Sequence, residues 1–303
     1  MKNIAVLIPC YNEAGAVERV VAEFKKYLPD ATIYVYDNRS EDDTAELARK
    51  AGATVVTAKI RGKGAVVRQM FSEIDADAYI MVDGDATYDA ADAPKMLATL
   101  AEEKADMVAA VRQAKSDAAY KIGRKFGNRM FNYMLKALFN SSFQDIFSGY
   151  RAFSKRFVKT LPIASVGFDI EAELSIHALV LGVPCVEIES KYSERPANTR
   201  SKLNAFKDGF KILISILRLL KETRPLLFFG AIFGALFTLS VGISYPIIKT
   251  FVETGLVPRL PTAILSTGVM IVSFLSLMCG IILDGVSQAR IETKRLRYLW
   301  FTS

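Results

Sequence analysis

A single histidine, His177, stands among the 303 residues. That scarcity argues against mechanisms built on imidazole acid–base pairs, and His177 is expected to pack within a helix. Only three cysteines are present, Cys10, Cys185 and Cys279; their odd number and wide scatter give no disulfide framework and make reduced thiols the default. Internal repeats and low-complexity linkers are also missing. The opening stretch MKNIAVLIPCYNE has too short an apolar run, and too early a proline, for a secretory signal. The large N-terminal region is therefore expected to stay in the cytosol. No RNA- or DNA-binding motif accompanies the net charge of +7. The basic excess suits an anionic inner leaflet, and nucleic acid has no support.

Charge itself is absent from two stretches, 225–248 (PLLFFGAIFGALFTLSVGISYPII) and 260–283 (LPTAILSTGVMIVSFLSLMCGIIL). This segregation explains a mean hydropathy of +0.22 in a chain that is 23% charged. As helices, each stretch would be about 36 Å long, enough to cross a ~30 Å hydrocarbon core with some tilt. The intervening loop holds only Lys249 and Arg259 as basic residues. Outside the pair lie Lys207, Lys211, Arg218, Lys221 and Arg224 on one flank and Arg290, Lys294, Arg295 and Arg297 on the other. By the positive-inside bias both flanks are cytoplasmic, so the pair reads as a multi-pass hairpin in the cytoplasmic membrane, with both termini in the cytosol.

Upstream, strand and helix signals alternate. Apolar runs at 4–8, 32–36, 53–58, 78–82 and 105–111 read as strands. Helical patterns fall at 14–27, at 40–50 with Ser40 as its cap, after Gly64, and through Met96 and Leu97. This is the order of an α/β, mostly parallel sheet covered by helices on both faces. Ligands of such sheets bind beyond the carboxyl ends of the strands. Asn12 and Glu13, Asp37 and Asn38, and Asp83 and Asp85 all fall there. Further on, 121–140 mixes basic and large apolar residues at helical spacing. In 204–222 a stripe of Phe206, Phe210, Leu213, Leu217 and Leu220 predicts a helix lying on lipid headgroups.

Within YIMVDGDATYD (79–89), the apolar run stops at two carboxylates one residue apart. Taken alone, the pair reads equally as a solvated Asp-Gly turn or as half of a site for a hard divalent cation, since adjacent like charges need a positive partner. A calcium loop is excluded, because Tyr88 stands where that loop needs glycine and Pro94 where it needs its closing glutamate.

Six motifs occur in order: PCYNE (9–13), DNRSEDDT (37–44), GKG (62–64), DGD (83–85), QDIFSGYRAFS (144–154) and SERPANTRSKL (193–203). Together they resemble the family 2 glycosyltransferases of GT-A fold. Within these, the chain is similar to the polyprenyl-phosphate glycosyltransferases, the group containing dolichyl-phosphate mannose synthase and bacterial undecaprenyl-phosphate glucosyltransferases.

The resemblance implies a cytosolic GT-A domain (1–200), an interfacial helix (201–224), a transmembrane hairpin (225–284) and a basic tail (285–303). It implies a nucleotide-sugar donor, UDP-linked by preference with GDP-mannose as the alternative, and a polyprenyl-phosphate acceptor. Pro9, Tyr11, Glu13 and Asp37 would line base and ribose, although Glu13 and Asp37 also read as helix or turn caps. Lys63 of the GKG turn would join the donor site. Asp83 would contact ribose or metal, and Asp85 would hold Mg²⁺ or Mn²⁺ against the diphosphate. Arg124, Arg129, Arg151, Arg195, Ser201 and Lys202 would gather the acceptor phosphate, the first two also reading as arginines snorkelling toward headgroups. Asp145 would orient the acceptor or assist as a base.

A phosphomonoester is already largely anionic at neutral pH, so the implied reaction asks more for cations than for a strong base. Relatives that form tetramers suggest a homo-oligomer. Three departures bear on sugar and base: Asn38 replaces a second aspartate, ATYD follows DGD, and Thr199 and Arg200 precede Ser201-Lys202 where a glycine is usual. A processive polysaccharide synthase would need a QxxRW motif and more spans, whereas the one tryptophan is Trp300 in the tail. A membrane-anchored nucleotide-sugar binder without catalysis is the remaining alternative.

Overall fold

The computed structural model describes residues 3–114, 143–165, 167, 169–193 and 205–301, together with 133 and 136. It divides into two compact units, residues 1–216 with 294–303, and residues 217–293.

In the first unit the chain runs β1 (Ile4–Cys10), α1 (Val17–Tyr27), β2 (Thr32–Asp37), α2 (Thr44–Lys50), β3 (Thr54–Thr57), α3 (Lys63–Glu73), β4 (Ala78–Met81), α4 (Ala93–Glu102), β5 (Met107–Ala114), β6 (Arg151–Ser154), α5 (Lys155–Thr160), α6 (Ile170–Leu181) and β7 (Cys185–Tyr192). The described strands form one sheet in the order β3-β2-β1-β4-β6-β5-β7. All neighbours are parallel except β6, which is antiparallel to both β4 and β5. The mostly parallel α/β sheet expected from the sequence is thus present, with one reversed strand inside it.

Helix periodicity explains the layers. Val17, Val20, Val21 and Phe24 of α1 and Met96, Leu97 and Leu100 of α4 meet Val6, Ile8 and Ile80 in one buried cluster. On Phe71 of α3 pack Tyr79 and Phe153, and Phe157 of α5 stacks on Phe153 with ring centroids 5.5 Å apart. Two helix starts differ from expectation. α1 begins at Val17 rather than residue 14. α2 begins at Thr44 rather than Ser40, because the Ser40 hydroxyl accepts the Asn12 N–H (2.9 Å) instead of capping a helix. The side chain competed with the cap, and the loop won.

The tail residues of this unit are tied to it by chemistry. Asp106, fully buried, accepts from Arg156 Nε (2.5 Å) and Nη2 (2.9 Å), from Ser154 Oγ (2.6 Å) and from Tyr298 Oη (2.5 Å). The Arg156 guanidinium also lies over the Tyr298 ring, 4.8 Å from its centroid.

A further helix, α7 (Ala205–Thr223), spans the unit boundary and carries the expected stripe. Phe210 and Leu217 of the stripe are exposed, whereas Leu220 is buried. The second unit is built chiefly on α8 (Pro225–Thr254) and α9 (Leu260–Trp300). At 30 and 41 residues they are longer than the apolar stretches, and α9 absorbs most of the expected basic tail as helix. Gly255, at φ +68°, ends α8 in the left-handed conformation that glycine adopts without strain.

The packing of this pair is inside-out relative to a soluble core. Leu239, Ile264, Leu265, Ile271, Leu275 and Ile282 are exposed, while Ser240, Ser266, Ser273, Gly280 and Ser287 are buried. The last four recur every seventh residue along α9, a spacing that keeps them on one seam. Ser240 Oγ donates to Ser266 O (2.8 Å), and Ser266 Oγ returns a bond to Ser240 O (3.0 Å). A Cβ on Gly280 would lie 3.0 Å from Phe229 Cβ, so only glycine fits there without displacement. Small residues at the contact and large apolar ones outside are the pattern of helices solvated by lipid. Both helices are long and apolar enough to cross a membrane.

Candidate active site

The strand order reverses at β1, which sends its successor β2 to one side while β4 lies on the other. That switch point opens a crevice beyond the carboxyl ends of β1 and β4. The polar residues read from the sequence gather around this rim.

On the β1–β2 side, Pro9 sits in register with Tyr36. β4 pairs with β1 only as far as Leu7, so the missing proline N–H breaks no ladder bond on that side. Tyr11 follows, its hydroxyl accepting from Arg61 Nη2 (3.1 Å), and the guanidinium lies 5.2 Å from the Tyr11 ring centroid. The Glu13 carboxylate is buried, and its backbone N–H donates to Thr44 Oγ1 (2.8 Å). Asp37, also buried, accepts the Ser40 N–H on both oxygens (3.3 and 3.2 Å), so the turn-cap reading of Asp37 is realised. Asn38 Oδ1 accepts the Gly62 N–H (2.9 Å), joining this loop to the GKG turn. The amide at 38 therefore does a job that needs an acceptor but no charge.

On the β4 side, Asp83 and Asp85 close the strand. Lys63, the first residue of α3, donates to Asp83 Oδ1 (2.5 Å) and to Glu171 Oε1 of α6. Burial alone would push the Lys63 ammonium down, but the Asp83 and Glu171 carboxylates outweigh it and hold Lys63 above the ordinary lysine value. Asp85 is buried and accepts from Thr87 Oγ1 (2.6 Å) and Thr87 N (3.2 Å). Between them, Ala86 has φ +56°. Asn12 (φ +50°) and Arg39 (φ +58°) share this left-handed conformation. Three of the four non-glycine residues with positive φ in the described chain thus lie at the rim, the fourth being Lys104 in the turn after α4.

The loop before β6 is pressed onto Asp83. A Cβ on Gly149 would lie 2.5 Å from Asp83 Oδ2, so only glycine permits the approach. Tyr88 fixes that loop by accepting the Gly149 N–H (2.9 Å) on its hydroxyl. The Tyr88 ring is wedged between Tyr150 and Tyr192, with centroids 5.4 and 5.3 Å away.

Asp145 is clamped. Arg112, at the carboxyl end of β5, donates Nε to Oδ2 (2.6 Å) and Nη2 to Oδ1 (2.8 Å). Burial would raise the Asp145 carboxyl, but the Arg112 charge and hydrogen bonds hold it below the usual carboxylate range. Such a group is an ionised anchor and a weak proton acceptor. Glu187 of β7 accepts the Gln144 N–H (2.9 Å) and the Asp145 N–H (3.2 Å), fixing the same loop from beneath.

Arg151 departs from expectation. It is fully buried and directs its guanidinium inward, donating to Ser148 O (2.9 Å), Ile146 O (2.7 Å) and Ser175 Oγ (2.9 Å). It is a strut of the fold and presents nothing to a phosphate. Arg124, Arg129, Arg195, Ser201 and Lys202 lie outside the described residues. His177 packs within α6, buried beside Glu173 at 3.4 Å.

Among the described residues no group of three or more His, Cys, Asp or Glu side chains could surround a metal ion. Two carboxylates at the rim fit an ion that takes the rest of its shell from substrate phosphates and water, the usual arrangement for Mg²⁺. Arg112, Glu171, Tyr88, Gly149 and Glu187 were not picked out as site residues from the sequence. Arg112 carried a readable signal, since it follows an apolar run just as Asp37 and Asp83 do.

Comparison with known proteins agrees with this geometry. The sequence model described as "Glycosyl transferase family 2" matches residues 5–161. Glycosyltransferase AglJ of Haloferax volcanii is 32% identical over 300 residues, covering 98% of both chains. A dolichyl-phosphate hexose transferase of the same organism is 28% identical over 222 residues, 73% of this chain and 96% of that one. Glucosyl-3-phosphoglycerate synthase of Mycobacterium tuberculosis, solved with Mn²⁺, UDP and glucosyl-3-phosphoglycerate, superposes with a TM-score of 0.59 at 20% identity, over 72% of this chain and 80% of that one. That likeness establishes the GT-A fold.

Proposed function

The chain belongs to glycosyl transferase family 2, and from that premise we propose that it transfers a sugar, with inversion, from a nucleoside-diphosphate sugar to a polyprenyl phosphate at the cytoplasmic face of a membrane. The observation that carries this reading is the Asp83–Asp85 turn at the sheet's switch point, in a chain that also holds two helices of membrane-crossing length. The activity for which the dolichyl-phosphate hexose transferase is named supports the acceptor class. A donor carrying UDP is favoured, with GDP-mannose as the alternative.

Tyr11, Glu13 and Asp37 would receive the base and ribose. Asp83 and Asp85 would hold Mg²⁺ or Mn²⁺, which when bound neutralises the departing nucleoside diphosphate. An acceptor phosphate oxygen attacks the anomeric carbon in line, the bond to the diphosphate oxygen breaks, and the product is a lipid-linked sugar phosphodiester. The acceptor reaches the site already ionised, so Asp145 acts by orientation through its clamp and need take no proton. Arg124, Arg129, Arg195, Ser201 and Lys202 would collect the acceptor phosphate. α8 and α9 would anchor the enzyme in the membrane, with the exposed Phe210 and Leu217 of α7 at headgroup depth, turning the search for a lipid from three dimensions into two.

Purified protein in detergent, given Mn²⁺, undecaprenyl phosphate and a panel of nucleotide sugars, should release nucleoside diphosphate with one of them and form a lipid-extractable sugar. No release across a broad panel of UDP- and GDP-sugars defeats the proposal.

A further inference from the structure

Lys63 touches two carboxylates, and only one of them belongs to the DGD turn. Its ammonium, almost wholly buried, donates to Asp83 Oδ1 at 2.5 Å and also to Glu171. Glu171 is itself buried and stands in the first turn of α6, far from Asp83 in sequence. It is held there from below. Arg151 Nη1 donates to Ser175 Oγ (2.9 Å), and Ser175 Oγ donates to the Glu171 carbonyl (3.0 Å). The interior arginine that cannot reach a phosphate thus helps to fix the turn bearing Glu171.

Asp83, Asp85, Glu171 and Lys63 together sum to a charge of −2 at this corner, and the buried Arg151 guanidinium adds its own field at Glu171. Each neighbour shifts that balance in a known direction. Without Glu171, the lysine belongs to Asp83 alone and the corner falls to −1. Without Lys63, it rises to −3. Charges this close in a buried setting interact strongly, so the cation affinity of the pair follows the balance.

We propose that Glu171 is a positioning residue for the donor site: by sharing Lys63 with Asp83, it sets the orientation of the Asp83 carboxylate and the affinity of the Asp83–Asp85 pair for a divalent cation. This rests on the cation-assisted reading of the site given above. The role differs from plain structural support because the two partners act with opposite sign.

The test is Mn²⁺ binding to the full chain in detergent, with UDP present, followed by the free-ion electron paramagnetic resonance signal. Glu171→Gln, which removes charge at almost constant size, is expected to weaken Mn²⁺ binding roughly tenfold. Lys63→Met is expected to strengthen it by a similar factor while lowering turnover. The double variant restores the −2 balance and should return to within about threefold of the unmodified protein, a non-additivity expected only of coupled groups. Where Lys63→Met does not fold, Glu171→Gln carries the test alone. If unmodified protein binds Mn²⁺ and folded Glu171→Gln binds it equally well, this inference falls while the proposed function stands. If unmodified protein binds UDP but no Mn²⁺, both fall together.

Discussion

Replacing Arg112 with methionine isolates the energetics of one buried ion pair. The two side chains are only 16% and 6% exposed, and the arginine bonds both Asp145 oxygens. Methionine fills much of the same volume but leaves the carboxylate charged and without its clamp. Breaking a buried pair from one side typically costs about 3–5 kcal/mol. For a domain of this size that is a fall in Tm of roughly 6–20 °C.

The pH dependence gives the sharper signature. In the native protein the Asp145 carboxyl lies below its ordinary value. Its contribution is fully present above the unfolded carboxyl value of about 3.9 and is lost as pH falls through the folded one. In Arg112→Met burial is still countered by the residue-112 backbone N–H and the Arg151 charge but no longer by the guanidinium, so the carboxyl rises from its native position. The variant's penalty is then largest at neutral pH and is relieved as acid protonates the group. The difference in Tm between the two proteins, measured by thermal unfolding in detergent, should therefore shrink from about pH 7.5 to about pH 5. Adding Asp145→Asn removes the stranded charge and should recover at least about half of the loss. A single variant within about 1 kcal/mol of the native protein, or a gap that widens on acidification, would falsify the account of Asp145 as an anchored anion.

Other outcomes follow from the same geometry. Asp85→Asn should abolish turnover while the protein still inserts and folds, checked by product formation beside a detergent unfolding curve; full retained activity would refute its assignment to the donor site. In Gly149→Ala the new methyl meets Asp83 Oδ2 at 2.5 Å, so the loop or the carboxylate must move. Turnover should drop by at least about tenfold, with a smaller loss of UDP affinity in calorimetry. Tyr298→Phe removes one of four donors to the buried Asp106 and should lower stability by about 1–2 kcal/mol, read from Tm, with nucleotide affinity unchanged.

What the sequence made legible follows from how local each signal is. Strands β1 to β5 are each built on a short apolar run, and the acids at or beyond the ends of three of them fall on one rim by topology alone. β6 is four residues, Arg151–Ser154, too short for periodicity to register, and it begins with an arginine that composition marks as exposed. The acceptors that make its burial possible, on Ile146, Ser148 and Ser175, become neighbours only in the folded chain. Strand β7 alternates charged and apolar residues and passes for a surface strand, although Glu187 serves the N–H groups of the Gln144–Asp145 turn. Glu171 was hidden for a related reason: an acid in the first turn of a helix is unremarkable in sequence, and its lysine is 108 positions away. The hairpin was the easiest element to read because charge is excluded along whole segments, while its serine seam needed the heptad spacing to be set against a partner helix.

The bond between Tyr298 and Asp106 changes how this protein should be trimmed for study. Stopping the polypeptide near residue 216 would discard the membrane-length helices, but it would also discard the last stretch that belongs to the sugar-transferring half. Asp106 and Arg156 would keep each other yet lose the phenol that completes their cage. A trimmed version should therefore keep residues 294–303 joined to the first unit through a flexible linker, so that the closing segment still finds its seat.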